Sequence, residues 1–193
     1  MDNRYESRMF TGLPSVGKTR LLNAVLDSGL GYVTKPIWVT RPRRPGEVHR
    51  RDMHFTTEEV FGRVFDSRLF VESEMGKPFE FTGYLDHRYG TPGTWLRDLP
   101  CHAPLVCVSY STEVAKFVKE RRPDIAWIHL TASQDTRVKR LEDRGLRGEA
   151  LEKRVLNVGG DSGCGYDMAD AIIDTSHSTV DETLQQVLRV TAK

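Results

Sequence analysis

Short apolar runs alternate along this chain with segments whose apolar residues recur at helical spacing. The runs LVCVS and IAWIHLT are typical of buried strands, whereas Leu21, Leu22, Val25 and Leu26 recur as on one face of a helix. Strands that alternate with crossover helices predict an α/β fold with a mainly parallel sheet flanked by helices. The predicted strands cover residues 5–11, 103–109, 125–131 and 171–176, and the predicted helices cover 18–27, 56–65, 91–99, 111–122, 133–145, 148–158 and 179–190.

The segment between the first helix and residue 90 has a different character. Residues 32–40 indicate an extended stretch, and the run RPRRPGEVHRRD that follows is too rich in Pro and Gly for long regular structure. Thr57 is placed to cap a helix, and the aromatic-rich region from Leu69 to Tyr89 favours β-structure. We therefore expect one domain over residues 1–193, with a β-rich segment inserted in an α/β core.

Composition narrows the possible partners. The 193 residues carry 28 Lys and Arg against 27 Asp and Glu, so the net charge of +1 provides no general field for a nucleic acid polymer. Cys101, Cys107 and Cys164 have neither metal-ligand nor disulfide spacing, which suits idle thiols in a reducing compartment. No signal peptide or long apolar run is present, so we expect a soluble, cytoplasmic protein with no membrane contact, as a monomer or homodimer.

The stretch GLPSVGKT, directly after the first predicted strand, matches the pattern G-x-x-x-x-G-K-[ST]. Glycines at 12 and 17 let successive amides, including those of Ser15 and Val16, turn toward phosphate oxygens. Lys18 adds a positive charge, Thr19 adds a hydroxyl for Mg²⁺, and the helix that follows adds its dipole. We predict a site for the phosphates of a nucleotide with Mg²⁺. The motif alone does not choose among NTPases, small-molecule kinases and nucleotide switches.

A second anion site is indicated further along. Arginines 41, 43, 44, 50 and 51 lie in a segment that no helical period explains. Arginine binds phosphate with several donors in a fixed fork. The simpler alternative is a solvated basic loop.

Together these blocks resemble the guanylate kinase family. GLPSVGKTRLL, TRPRRPGEVHRRDMHFTTEEVF, YGTP, RLEDRG and LEKRV occur in the family's order over nearly the whole chain, and the TRPRRPGEV block is its most specific motif. Ribose 1,5-bisphosphate phosphokinases resemble a sister branch of the same fold. The resemblance implies a P-loop kinase fold with a core (residues 1–31 and 92–193), an acceptor-binding segment (about 32–90) and a mobile lid (about 135–158).

The resemblance also implies roles for individual residues. Arg41, Arg44 and Tyr89 match side chains that bind the acceptor phosphate, and Thr91 matches a hydroxyl near the base. The lid arginines, which reach the transferring phosphates together with Lys18, match Arg140, Arg144 and Arg154. Asp174 falls where the family carries an Asn near the adenine. The glutamate that reads guanine aligns with either Glu72 or Glu80, depending on the direction of counting.

Several positions depart from the family pattern. Ile37 replaces a Ser, and Asp52-Met53 replaces Asp-Tyr, so two hydroxyls expected at the acceptor phosphate are missing. After the strand that ends at Val108, the family has Asp-x-Asp, whereas this chain has Ser109-Tyr110-Ser111. The missing carboxylates would have accepted a hydrogen bond from a substrate N–H. Their loss should affect which phosphoryl-accepting substrate is selected more than it affects phosphate binding at the loop.

Three functions are therefore compared. The first is an ATP-dependent nucleoside monophosphate kinase that acts on GMP, dGMP or a related nucleotide. The second is a kinase for a phosphorylated sugar such as ribose 1,5-bisphosphate. The third is a catalytically silent guanylate-kinase-like module that binds a protein partner, which the intact GLPSVGKT loop disfavours.

Overall fold

The computed structural model of the chain describes residues 6–71, 87–93, 104–109, 111–156 and 166–191. The strands are β1 (Arg8–Thr11), β2 (Trp38–Val39), β3 (His54–Phe55), β4 (Tyr89–Gly90), β5 (Val106–Val108), β6 (Ala126–Thr131) and β7 (Ala171–Asp174). The helices are α1 (Lys18–Asp27), α2 (Glu58–Asp66), α3 (Thr112–Arg121), α4 (Gln134–Glu142), α5 (Gly148–Leu156) and α6 (Val180–Leu188), with one 3₁₀ turn at Tyr166–Met168. The predicted α/β architecture is confirmed.

A four-stranded parallel sheet forms the centre of the fold. Its strand order is β5-β1-β6-β7, and every neighbouring pair is parallel. Val33 forms a parallel bridge with Leu105 on the far side of β5, which extends the sheet by one position. Because all four strands run in one direction, their carboxyl ends meet at a single edge, where open α/β sheets bind ligands.

Both faces of this sheet are covered. Met9 and Trp127 pack in one apolar cluster with α3, whereas Phe10 and Ile128 pack in a second cluster with α1 and α6. Strands buried on both faces are continuous apolar runs rather than alternating ones, as the sequence of β6 shows. None of the helices within the described ranges is long and apolar enough to span a membrane.

The inserted segment forms a separate small sheet of order β3-β2-β4. β2 pairs in parallel with β3 and antiparallel with β4, so the extended stretch predicted at 32–40 contributes a two-residue strand and the bridge at Val33. Most of the β-like region predicted over 69–89 lies outside the described residues. The helix predicted at 91–99 does not include residues 91–93, since Pro92 forms a bridge with Phe70; residues 94–99 are not described.

The helix boundaries follow capping chemistry. Thr57 and Ser133 accept hydrogen bonds from backbone amides in the first turns of α2 and α4, as predicted for Thr57. Ser111 caps α3 in the same way, and Thr179 forms a reciprocal capping box with Glu182 at the start of α6. These caps position each helix directly after the strand or loop that precedes it.

Cys107 is a free thiol, as expected for an idle cysteine. It is fully buried in β5, and burial raises the pKa of the thiol far above its ordinary value. Cys101 and Cys164 lie outside the described residues.

A buried ion pair lies at the end of the parallel sheet opposite to the carboxyl ends of its strands. Lys119 Nζ at the end of α3 donates to Asp170 Oδ2 at 2.8 Å and to the carbonyl of Ile125 at 3.0 Å. The same carboxylate oxygen accepts from the amide of Trp127 at 2.6 Å. The pair thus joins α3, the entry to β6 and the entry to β7, and both side chains are nearly inaccessible to water.

We expect Lys119→Met to lower the free energy of unfolding by about 3 kcal/mol, because the Asp170 carboxylate would stay buried without its cation. The double variant Lys119→Met/Asp170→Asn should recover part of this loss. Lys153→Met, which removes an exposed helix ion pair with Glu149, is the control and should change stability by less than about 0.5 kcal/mol. Urea unfolding measures all three, and a Lys119→Met protein as stable as the parent would contradict this role.

Candidate active site

The loop Gly12–Gly17 joins β1 to α1 at the carboxyl edge of the parallel sheet. Its curvature requires glycine at two positions. Gly12 has φ 131°, and a Cβ added there would lie 2.2 Å from the carbonyl oxygen of Leu130. Gly17 has φ 103°, a conformation that side chains with a Cβ rarely adopt. Ser15 also has a positive φ of 68°, so the loop wraps tightly around one point.

Lys18 lies inside this loop rather than extending from it. Its side chain is 6% exposed, and its Nζ atom donates to the carbonyl of Gly12 and, at 2.8 Å, to the carbonyl of Leu13. The ammonium group therefore adds its charge at the centre of the loop. The side chain of Thr19, next along α1, remains partly accessible.

Side chains from two other elements hold the next three carbonyls. The bonds join Arg137 Nε to Pro14 O at 3.1 Å, Arg140 Nη1 to Ser15 O at 3.1 Å and Thr175 Oγ1 to Val16 O at 2.8 Å. The carbonyl of Gly17 accepts from the amide of Leu21 within α1. Every carbonyl from Gly12 to Gly17 is thus engaged by a protein donor. A loop that uses its acceptors in this way offers amides to a ligand, which is the requirement for binding an anion.

Two of the three predicted lid arginines contact this loop. Arg140 donates to Ser15 and, through both terminal nitrogens, to Thr175, while Arg144 Nη1 lies 3.5 Å from Ser15 Oγ. Partial burial lowers the pKa of Arg140, and the neighbouring charges of Arg20 and Arg144 lower it further. Guanidinium groups that repel one another in this way form a site for an anion.

Arg154 lies on α5 beside the second arginine group. Partial burial lowers the pKa of Arg44, and the positive charges of Arg41 and Arg154 lower it further, whereas Glu47 and Tyr89 act in the opposite direction. The structure therefore brings Arg154, predicted as a lid arginine, close to Arg44 and Tyr89, which are predicted to bind the acceptor phosphate. The Arg44 side chain is accessible to solvent.

Arg41, in contrast, is buried and engaged. Its Nη1 and Nη2 atoms donate to the two carboxylate oxygens of Glu47 at 2.7 and 2.6 Å. Glu47 Oε2 also accepts from the backbone amide of Arg44 at 2.8 Å. A turn over Arg44–Glu47, with Gly46 at φ 83° and a hydrogen bond from Glu47 N to Arg44 O, fixes this arrangement. The Arg41–Glu47 pair therefore supports the turn that carries Arg44.

Tyr89 and Thr91 flank a close contact at Gly90. A Cβ at Gly90 would lie 2.8 Å from the ring of Phe70, so only glycine leaves room for this buried ring. The carbonyl of Thr91 accepts from the amide of Val71, which ties the same segment to the chain after α2. Glu72 and Glu80, the alternative base-reading residues, lie outside the described residues.

Asp174 ends β7 at the same edge as the loop. Its Oδ1 atom accepts from the amide and hydroxyl of Ser176 at 2.7 and 2.5 Å, and these bonds lower the pKa of the carboxyl. The charge of Asp174 also acts on the pKa of Arg140, which places it near the loop. In the described part of the chain, no group of three His, Cys, Asp or Glu side chains is arranged to hold a metal ion.

Comparison with known proteins finds guanylate kinases among the similar sequences. A guanylate kinase of Rubrobacter xylanophilus is 28% identical over 182 residues, which span 93% of this chain and 91% of the relative. One from Prochlorococcus marinus is 25% identical over 200 residues, 98% of either chain, and one from Onion yellows phytoplasma is 28% identical over 151 residues, 76% of this chain and 68% of its own. Over nearly its whole length, the chain is thus similar to guanylate kinases.

Solved structures agree on the fold. The crystal structure of guanylate kinase from Anaplasma phagocytophilum has a TM-score of 0.62 and 18% identity, covering 95% of this chain and 83% of its own. A gluconokinase from Sinorhizobium meliloti has a TM-score of 0.50 and 14% identity, covering 96% of this chain and 91% of its own. No family model matches the sequence.

The serines that replace the family's Asp-x-Asp have a local role here. Ser109 Oγ donates to the carbonyl of Ser111 at 2.8 Å, and Ser111 Oγ caps α3 by accepting from Val114 N. These hydroxyls therefore begin a helix instead of presenting a carboxylate. Tyr110, between them, is not described.

Three side chains at the site were not predicted from the sequence: Arg137, Thr175 and Glu47. Thr175 lies near the carboxyl end of the strand predicted over 171–176, at the ligand-binding edge, and that position is a usable signal. Glu47 lies in the PGE turn of the most specific motif. Arg137 precedes Arg140 by three residues and so shares its helix face, but the spacing did not distinguish it from a surface residue.

We expect Glu47→Gln to lower the free energy of unfolding by about 2 kcal/mol at neutral pH, since it weakens charge-assisted hydrogen bonds to a buried arginine. Burial acts to raise the pKa of Glu47, but its bonds with Arg41 and Arg44 N lower it overall. The carboxylate therefore stabilises the fold above its unfolded-state pKa, and this contribution is lost as the pH falls through the lowered folded-state pKa.

Urea unfolding as a function of pH tests this expectation. The difference between the parent and Glu47→Gln should shrink in acid, while the control Glu59→Gln, on an exposed helix ion pair, should differ by less than about 0.5 kcal/mol throughout. A difference that stays constant down to acid pH would show that the carboxylate charge of Glu47 does not hold Arg41.

Proposed function

We propose that the protein transfers the terminal phosphoryl group of ATP to the phosphate of GMP, giving ADP and GDP. One observation carries this proposal: helices α4 and α5, which pack on each other, supply arginines to two different anion sites. Arg140 and Arg144 reach the loop Gly12–Gly17, and Arg154 lies beside Arg44. The names of the three relatives, all guanylate kinases, support GMP as the acceptor.

On the nucleotide side, the loop residues fit a triphosphate. We assign the amides of Ser15, Val16 and Gly17 to the phosphates, because the loop carbonyls are engaged by protein donors. Gly12 allows this path of the loop, since a Cβ there would collide with the carbonyl oxygen of Leu130. Lys18 supplies a positive charge, and Thr19 is the residue whose hydroxyl would hold Mg²⁺. When bound, Mg²⁺ neutralises part of the charge on the phosphates. Asp174 would border the adenine.

On the acceptor side, we assign Arg44 and Tyr89 to the phosphate of GMP and Thr91 to the neighbourhood of its base. Arg41 contributes to the same site. It does so through its ion pair with Glu47. The glutamate that reads guanine is Glu72 or Glu80, as the sequence predicts.

Phosphoryl transfer requires alignment of two substrates and neutralisation of charge on the transferred group, with little covalent help from the protein. Lys18 and the three arginines Arg140, Arg144 and Arg154 provide positive charge from two directions. The region predicted as the lid, about residues 135–158, contains α4 and α5. A lid that brings its arginines in after both substrates bind would exclude water as an acceptor.

The two alternatives are less well supported. A ribose 1,5-bisphosphate phosphokinase would share the nucleotide half, and its case comes from the missing Asp-x-Asp, whereas the relatives' names favour GMP. A silent protein-binding module would not need a loop whose every carbonyl is held by a protein donor.

Coupled detection of ADP tests the proposal. The purified protein with Mg²⁺-ATP should release ADP on addition of GMP or dGMP, and much less with AMP or ribose 1,5-bisphosphate. Turnover of the sugar phosphate without turnover of GMP would replace the proposed acceptor. Absence of ADP release with every acceptor, in a protein that is folded by circular dichroism, would remove the kinase assignment.

Arg44→Ala should raise the KM for GMP by about 10-fold or more, since a hydrogen bond to a charged group contributes about 1.5–3 kcal/mol. The KM for ATP should stay within about twofold, because Arg44 belongs to the acceptor site. The matched control is Arg63→Ala, an exposed arginine of α2 in the same segment, which should leave both values unchanged. Equal effects of the two substitutions on GMP would show that Arg44 is only a surface charge.

A further inference from the structure

Arg137 and Thr175 contact the phosphate loop from the side of its carbonyls, and neither belongs to the residues assigned so far. Arg137 lies on α4 and donates to Pro14 O at 3.1 Å. Thr175 follows β7 and donates to Val16 O at 2.8 Å. The two bonds come from different elements and fall on alternate peptide groups of the same loop.

Stability alone does not account for Arg137. Its side chain is only 6% exposed, and burial lowers the pKa of its guanidinium. Within the described part of the chain, its Nη2 atom is buried and has no hydrogen-bond partner. Burying a guanidinium against a neutral carbonyl is costly compared with an apolar side chain of similar length. An arginine kept under these conditions indicates a role other than folding.

Thr175 is the point at which four elements meet. Its hydroxyl lies 2.8 Å from Val16 O and 3.0 Å from Thr131 O, and it accepts from Arg140 Nη1 at 3.1 Å. Its backbone amide donates to Thr131 O at 2.9 Å. One side chain thus connects the loop, β6, β7 and α4, and its position is fixed by the sheet.

Peptide planarity gives these contacts a consequence for the opposite side of the loop. In a trans peptide, the carbonyl of one residue and the amide of the next point in opposite directions. Fixing Pro14 O therefore orients the amide of Ser15, and fixing Val16 O orients the amide of Gly17. Both amides belong to the group assigned to the triphosphate.

We propose that Arg137 and Thr175 are positioning residues that hold the loop carbonyls so that the amides of Ser15 and Gly17 face the phosphates of ATP. They act through the backbone and touch no ligand. This inference rests on the proposed nucleotide site, but its test uses direct binding of ATP and does not depend on turnover.

For Arg137, the variant Arg137→Met removes the guanidinium and keeps a long side chain with good helix propensity. We expect the Kd for Mg²⁺-ATP, measured by isothermal titration calorimetry, to rise about 3- to 10-fold, the effect of one lost hydrogen bond. The melting temperature of the ligand-free protein should stay unchanged or rise. Lys139→Met, an exposed position on the same helix, is the control and should change neither quantity.

For Thr175, the variant Thr175→Val removes the hydroxyl and preserves the shape of the side chain. It should raise the Kd for Mg²⁺-ATP about 3- to 10-fold, and Thr175→Ser should restore the parent value within about twofold. The control is Thr183→Val, which removes a buried hydroxyl bonded to a carbonyl within α6, away from the loop. It should leave ATP binding unchanged.

The outcomes separate this inference from the proposed function. An unchanged Kd for ATP in Arg137→Met and Thr175→Val, or affinities for ATP and GMP that fall by the same factor, would overturn the positioning role. Weakened ATP binding in both variants of a protein that does not phosphorylate GMP would support the role and overturn the proposed acceptor. Failure of the parent protein to bind Mg²⁺-ATP would overturn both.

Discussion

The constraint on which this site depends is the planarity of the peptide group. A carbonyl held by a protein donor directs the next amide to the opposite side, so the bonds to Gly12, Pro14, Ser15, Val16 and Gly17 orient the amides of Leu13, Ser15, Val16, Gly17 and Lys18. The carbonyl of Leu13 precedes Pro14, which has no amide, and there Lys18 places its own charge. The loop therefore acquires its preference for an anion from the donors behind it.

Charge at the site is local because the chain as a whole carries almost none. A net charge of +1 gives no general field that would attract nucleotides from a distance, so any phosphate would have to be bound by local groups of guanidinium side chains. Burial is the main cause of the lowered pKa values of Arg140 and Arg44, and repulsion from neighbouring arginines lowers both further. Glu47 relieves this repulsion at Arg41 and leaves Arg44 accessible. An acceptor phosphate would relieve it at Arg44.

The sequence predicted the parts of this arrangement that depend on local chemistry. α1 begins at Lys18 and ends at Asp27 as expected, since the glycine-rich loop and the run LLNAVL define its ends, and the caps at Thr57 and Ser133 follow from residue type. The contacts of Arg137 and Thr175 with the loop join residues more than one hundred positions apart. Periodicity assigns a residue to a helix face but does not say which backbone group that face meets, so these contacts required the structure.

The same reasoning explains why Arg41 and Arg44 differ although the sequence presents them alike. The turn at Pro45-Gly46 brings Glu47 back onto the chain, and its carboxylate engages the guanidinium of Arg41 but only the backbone of Arg44. Two arginines that look alike in the sequence, Arg41 and Arg44, thus become a buried ion-pair member and an accessible cation in the fold.

Helices α4 and α5 also contact different parts of the site. Arg137 and Arg140 lie three residues apart on one face of α4, and both donate to carbonyls of the loop. Arg144 lies in the turn directly after the helix and contacts Ser15. The start of α4 is therefore part of the nucleotide half of the site, although it falls within the segment that resembles a lid. α5 carries Arg154 toward Arg44 in the acceptor half. Because α4 and α5 pack directly on each other, Arg140 beside the loop and Arg154 beside Arg44 belong to one structural unit, which would keep the two proposed phosphate sites in register.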